Sequence, residues 1–438
     1  MKCTIQSQGK QATLVVKQLI LFQNCKIIHA QGRSSQDYYL FFHKNRYVNT
    51  LKATKIKADS FLNKAIEHGL IVLAPHHAIY SLVHQQTFPC IPLNKMINQI
   101  ENQHMSLEQI IILSYFDQSI EKDKVIKLFV ESFRNYRRNG KMQKAYQVLI
   151  KLKDYAPENQ LVNDILNTLT FQNYQPENQE DLAFNPLQID KLEKIYLKAN
   201  RHLDISILST VKLLNGFTDK QWQLLLQTLS DYPLDIQTKT LFNILKQKPD
   251  LIDQKEFAES LLKLANANKY FNIVMKPEYS HPIDTTHFIK QLEHASQDLQ
   301  MILFNQKQQI LIDRIASFSK SDKEKTIRLI IETAIKVVSI DRIIDWLESW
   351  EEPFSFHKQL LTIKELMENP DEQEELADFY QYFNHKYGAI ECLKWEIELH
   401  PTKESAHKKL VKLLKETNQN DEASAYQEQW IQQTKYSS

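Results

Sequence analysis

Apolar residues recur at steps of three and four along most of this 438-residue chain, the period of an α-helix with one buried face. The clearest stretch is 126–159. Phe129 and Tyr136 share a face of a first helix, Asn139-Gly140 makes a turn, and Ala145, Leu149 and Leu152 share a face of a second helix. Pro157 then stops it, because proline lacks an amide donor and clashes with the preceding turn. Residues 1–100 are patterned differently. Leu14–Phe22 and Tyr38–Phe42 are apolar segments that periodicity leaves open between helix and short strands. Ala58–His68 reads as a helix with Phe61, Leu62, Ala65 and Ile66 on one face, and Gly69 is the expected left-handed cap. The runs around Pro75-His76-His77 read as a β-hairpin over 70–84.

Further along, Ser106 is placed as the N-cap of LEQIIILSYF. Asp219, Asp253 and Ser321 are expected to cap later helices. Residues 170–187 are polar, lack periodicity and hold two prolines, so a linker is expected there. The resulting division is 1–100, a basic N-terminal domain; 101–172, a first helical segment; and 186–438, a second.

The 126–159 pattern returns at 370–403, where Leu376, Ala377 and Tyr380 are followed by Ala389, Leu393 and Pro401. Ala423 continues the phase 34 residues after Ala389, which marks a unit at 404–437. A 34-residue helix–turn–helix period with a Tyr…Ala…Pro pattern resembles the tetratricopeptide repeat family. The likeness departs at Phe133, Leu152, Glu396, Gln427 and Trp430, and Lys435 stands where the closing proline belongs. It implies a mostly α fold: a solenoid of helical hairpins with a concave face for a protein or peptide. Carried onto this sequence, that face presents Lys127, Arg134, Arg137 and Arg138, then Asp371, Glu374 and Asp378, then Lys408 and Lys412.

Composition narrows the reading. Six glycines are few for phosphate-cradling loops, and GxSxG, HExxH and P-loop patterns are all missing, so no catalytic residues and no cofactor are assigned. The four cysteines are scattered, and Cys25 and His29 make only half of a zinc motif, so no metal is assigned and a reducing, cytoplasmic setting is expected. No apolar run reaches membrane-spanning length, and the polar start is unlike a secretory signal.

Charge then adds an alternative. Residues 1–100 hold 12 Lys and Arg against Asp37, Asp59 and Glu67, which gives them +9 and leaves −8 for the remaining 338 of a net +1 chain. Helix, glycine, hairpin is similar to the end of a winged helix-turn-helix, which would place Lys55, Lys57, Ser60, Asn63 and Lys64 against nucleic acid. The sequence therefore supports a non-enzymatic scaffold first, and a DNA-binding regulator with the repeats as sensor second.

Overall fold

The computed structural model describes the chain except residues 8, 34, 54, 85, 102–105, 173, 175–188, 351–352 and 437–438. Most of the expected 170–187 linker therefore lies outside the described residues. The chain forms two compact units, Met1–Leu264 and Ala265–Ser438.

The first unit opens with five antiparallel strands in sequence order: β1 (Lys2–Ser7), β2 (Lys10–Phe22), β3 (Cys25–Gln31), β4 (Asp37–His43) and β5 (Arg46–Ala53). Then come α1 (Phe61–His68), β6 (Leu70–Leu73), α2 (His77–Val83) and β7 (Thr87–Pro89). The sheet runs β5-β4-β3-β2-β1-β7, with β6 on β2 past the end of β1. It is a nearly closed barrel whose last seam is made by side chains. The Asn49 amide donates to Ile91 O at 2.9 Å and accepts from Ile91 N at 3.0 Å, and the Tyr47 hydroxyl donates to Pro89 O at 2.7 Å.

Along Leu19–Phe22 and Leu40–Phe42 both faces of the sheet are buried, which explains the apolar runs there. Ile20, Phe22, Ile27, Tyr39 and Phe41 belong to one core, whereas Leu19, Leu21, Ile28, Leu40 and Phe42 belong to another. Neighbouring residues point to opposite faces of a strand, so a sheet covered on both sides reads as unbroken hydrophobicity. Leu14–Phe22 and Tyr38–Phe42 are strands for that reason.

The first core is covered by α1 and by α3 (Leu93–Glu101), α4 (Leu107–Ser114), α5 (Lys122–Arg138), α6 (Met142–Tyr155), α7 (Gln160–Leu166) and α8 (Leu169–Gln172). The second is covered by α2, α9 (Ile189–Lys198) and α10 (His202–Asn215). The unit ends with α11 (Asp219–Leu229), α12 (Leu234–Gln247) and α13 (Lys255–Leu264). The second unit is helical throughout its described residues: α14 (Ala267–Val274), α15 (Thr285–Glu293), α16 (Gln297–Gln306), α17 (Gln308–Ile315), α18 (Lys320–Ala334), α19 (Ile340–Glu348), α20 (His357–Met367), α21 (Gln373–Tyr382), α22 (Lys386–Leu399), α23 (Glu404–Glu416) and α24 (Asn420–Tyr436).

The helices pack in consecutive pairs, as in a helical repeat array. Four hairpins share one turn. Gly140, Asn200, Asn384 and Asn418 hold positive φ between α5/α6, α9/α10, α21/α22 and α23/α24. In each, the next amide reaches back five residues: Lys141 to Tyr136 O, Arg201 to Tyr196 O, His385 to Tyr380 O and Gln419 to Leu414 O, all at 2.8–3.0 Å. This is a Schellman closure, which satisfies carbonyls left open at a helix end. Five residues after each turn, Ala145, Ile205, Ala389 and Ala423 are buried against the preceding helix. The α9/α10 hairpin shows no 34-residue register in the sequence, because isoleucine replaces alanine at its close-approach position.

Four local expectations are corrected. The 70–84 hairpin does not form: β6 joins β2, and His77–Val83 is a helix buried on the barrel. With no wing beside it, α1 is not part of a winged helix. Gly69 has φ −78°, not a left-handed value. It is needed for space, since a Cβ there would lie 2.4 Å from Ala65 O and 2.5 Å from Ile20 Cγ2. The caps expected at Asp219, Asp253 and Ser321 belong to other residues: Thr218 and Ser319 cap α11 and α18, and Asp253 ends a 3-10 turn. Ser106 does cap α4, with a full capping box to Gln109.

Candidate functional site

Helix α5 has Val125, Phe129, Ser132 and Phe133 on its buried face, so residues out of phase with them face solvent. Lys127, Arg134, Arg137 and Arg138 are all exposed there. Among the described residues, none of these four side chains has an ion-pair or hydrogen-bond partner. The hairpin from 121 to 158 holds ten Lys and Arg against five Asp and Glu. The result is a rigid surface with three unpaired guanidinium groups within five residues.

The other proposed groove residues stand in a different setting. Glu374 is largely covered and takes Lys403 and Lys409, both at 2.9 Å, and the Ser405 hydroxyl, also at 2.9 Å. Partial burial would raise its pKa, but these three bonds outweigh that and hold it at about 2. Asp378 pairs with Lys409 at 2.7 Å, and Lys408 pairs with Glu404. Lys412 is exposed beside Glu416, and Asp371 is exposed at the start of the α21 hairpin. Glu374 and Asp378 therefore tie α21 to the following hairpin; Glu374 is largely covered, whereas Asp378 stays exposed beside Lys409.

The residues nominated for nucleic acid are divided. Lys55 and Lys57 are exposed, whereas Ser60 is buried as the cap of α1, accepting from Asn63 N at 3.2 Å. The Asn63 amide donates to Ala58 O at 2.9 Å and to Glu67 at 2.8 Å, and Lys64 is half-buried. Phe61, Leu62 and Ala65 bury the opposite face of α1.

Several buried polar clusters carried no sequence signal, because their members come from distant elements. Asp117 accepts from Phe61 N at 2.8 and 3.1 Å. Burial pushes its carboxyl up to about 6, against that bond and the charges of Lys64 and Lys122. Lys26 on β3 is fully buried 2.6 Å from Asp204, which also pairs with Arg201 at 2.7 Å. His43 bridges the Tyr115 hydroxyl at 2.8 Å and Glu108 at 3.0 Å.

The His76-His77 dipeptide is the nearest arrangement to catalytic geometry. His77 Nε2 lies 2.5 Å from Ser206 Oγ beside a pocket of about 260 Å³, and His76 Nε2 lies 3.0 Å from Thr210 Oγ1. Burial pushes the His77 imidazole down to about 3, far from the neutral value an efficient general base needs. Among the described residues, His77 Nδ1 has no partner to orient the ring or stabilise its cation. The pair is a buried structural hydrogen bond.

Cys25 and His29 lie on one strand, about 13 Å apart along its axis, and the His29 ring bonds Asp37 at 2.8 Å. Among the described residues no group of three or more His, Cys, Asp or Glu is placed to hold a metal, and no helix is long and apolar enough to cross a membrane. Compared with protein-family models and with curated proteins, the chain matches none.

Proposed function

We propose that this chain is a tetratricopeptide-like scaffold that docks an acidic segment of a partner protein on the α5 face. The observation that carries the reading is the exposed, unpaired set Arg134, Arg137 and Arg138 on a hairpin held rigid by its own core. Guanidinium forks suit carboxylates in two-point contact. The repeat reading is supported by the closure shared by four hairpins and by the 34 residues between Asn384 and Asn418. Glu374 and Asp378 bond across to the following hairpin, so they add rigidity there and are not the surface that takes the acidic segment.

The test is fluorescence anisotropy of the full-length protein with a labelled Glu-rich dodecapeptide and, separately, with duplex DNA, each across a salt series. The expected result is peptide binding that the R134E/R138E double variant loses by more than ten-fold. Nucleic acid is the rival partner, favoured by exposed Lys55 and Lys57. Its signature would be DNA binding that falls steeply with salt and is lost in K55E/K57E but kept in R134E/R138E. That outcome, or no binding of the peptide, overturns the α5 reading.

A further inference from the structure

Helix α22 carries a second, chemically opposite surface. Its buried side, with Ala389, Ile390, Cys392, Leu393, Glu396 and Ile397, packs on α21 and α23. Its other side exposes large apolar groups: Tyr387 is 64% exposed, Trp395 52% and Leu399 44%. Glu391 and Glu398 lie between them on the same arc, and both are exposed. From 387 to 399 the spacing brings each onto one stripe, about 18 Å long at the helical rise. Three of the large exposed apolar residues of the described chain thus fall on a single helix.

The surface continues onto α24. The Tyr426 hydroxyl lies in the field of Glu391, Glu398 and Glu422, with Lys394 beside them. Lys394 pairs with Glu422 at 2.7 Å and with Glu391 at 3.3 Å. Three carboxylates against one ammonium leave the patch net negative. Glu398 has no partner among the described residues. Tyr and Trp rings attract cations over their faces, and arginine does this better than lysine because its planar group also stacks. Aromatic rings alternating with carboxylates therefore select for guanidinium groups at helical spacing.

We infer that the outer face of α22, built from Tyr387, Glu391, Trp395 and Glu398 and flanked by Tyr426, docks an arginine-bearing helical segment of a partner protein. A partner helix of about 12 residues spans the stripe. The inference stands apart from the α5 proposal, since it uses a different unit and the opposite charge.

The experiment uses full-length protein and three labelled 14-residue alanine-based helices that carry Arg, Lys or Glu at i, i+4 and i+8. The expected order is Arg tighter than Lys by roughly three- to ten-fold, with no binding of the Glu peptide. W395A and the E391K/E398K pair should each weaken the Arg peptide about ten-fold or more. Both sites are exposed, so far-UV circular dichroism and the melting temperature should not move. Equal binding by wild type and W395A, or no binding of the Arg peptide, overturns the inference. Sedimentation velocity supplies the other decisive arm. Salt-sensitive self-association that W395A abolishes would make a second copy of this chain the occupant, and the foreign segment would be ruled out.

Discussion

Two buried ionisable groups tie the stability of the first unit to pH. His77 is neutral in the fold, with its pKa pushed down by burial to about 3, against about 6.5 when unfolded. Between those values the unfolded chain binds the extra proton, so the stabilisation present above about pH 6.5 is lost as pH falls. Asp117 runs the other way. Its carboxyl is pushed up to about 6, against about 3.9 unfolded, so stability is lost as pH rises through that window. Thermal melts from pH 4 to 8 should show H77Q with a shallower acid-side slope than wild type. D117N should be more stable at pH 7.5, by about 1–2 kcal/mol, and melt correspondingly higher, because an amide still accepts from Phe61 N; the gain should vanish below pH 4. Identical slopes in H77Q and wild type would remove His77 as the source.

The Lys26–Asp204–Arg201 cluster gives an asymmetric prediction at the same scale. Removing Asp204 strands two covered cations, whereas removing Lys26 leaves Asp204 with Arg201 at 2.7 Å. D204A should therefore lower the urea midpoint by the equivalent of about 3–5 kcal/mol, and K26M by clearly less. A larger loss in K26M would mean that Arg201 does not hold Asp204.

At the scale of the element, the hairpin turn is the recurring device. Asn384 and Asn418 hold φ of 53° and 61°, and Gly140 holds 72° with open space around its missing Cβ. N384G and N418G should each raise the melting temperature slightly. G140A should cost about 1 kcal/mol of stability from backbone strain alone, and N384V should cost more. The sequence showed this device at 140 through the Asn-Gly pair and at 389 and 423 through the in-phase alanines. It did not show it at Asn200, where only the left-handed backbone identifies the turn. The 70–84 segment failed for a related reason. A short apolar run interrupted by proline carries no information about which strand it meets, and β2 supplied the partner.

At the scale of the molecule, both faces of the barrel are covered by helices that follow it in the chain, as far as α10. A fragment of residues 1–100 would keep α1 and α2 but lose α4 to α10, leaving both faces only partly covered, and should be aggregated or unfolded by circular dichroism and gel filtration. Fragments 1–264 and 265–438, which follow the compact units, should each melt cooperatively. A soluble, cooperatively melting 1–100 fragment would show that the barrel does not depend on its covering helices.

The sequence by itself determined the helical character of most of the chain, the hairpins at 126–159 and 370–437, and the exposure of Arg134, Arg137 and Arg138. These rest on short-range periodicity and turn chemistry, which act within a few residues. Tertiary structure alone decided that the N-terminal apolar runs are strands, because that depends on burial from both sides. It also decided that Glu374 and Asp378 tie hairpins together, and that the rings and carboxylates of α22 share one open face with Tyr426. Each of these depends on which distant surfaces meet, and local pattern does not encode that.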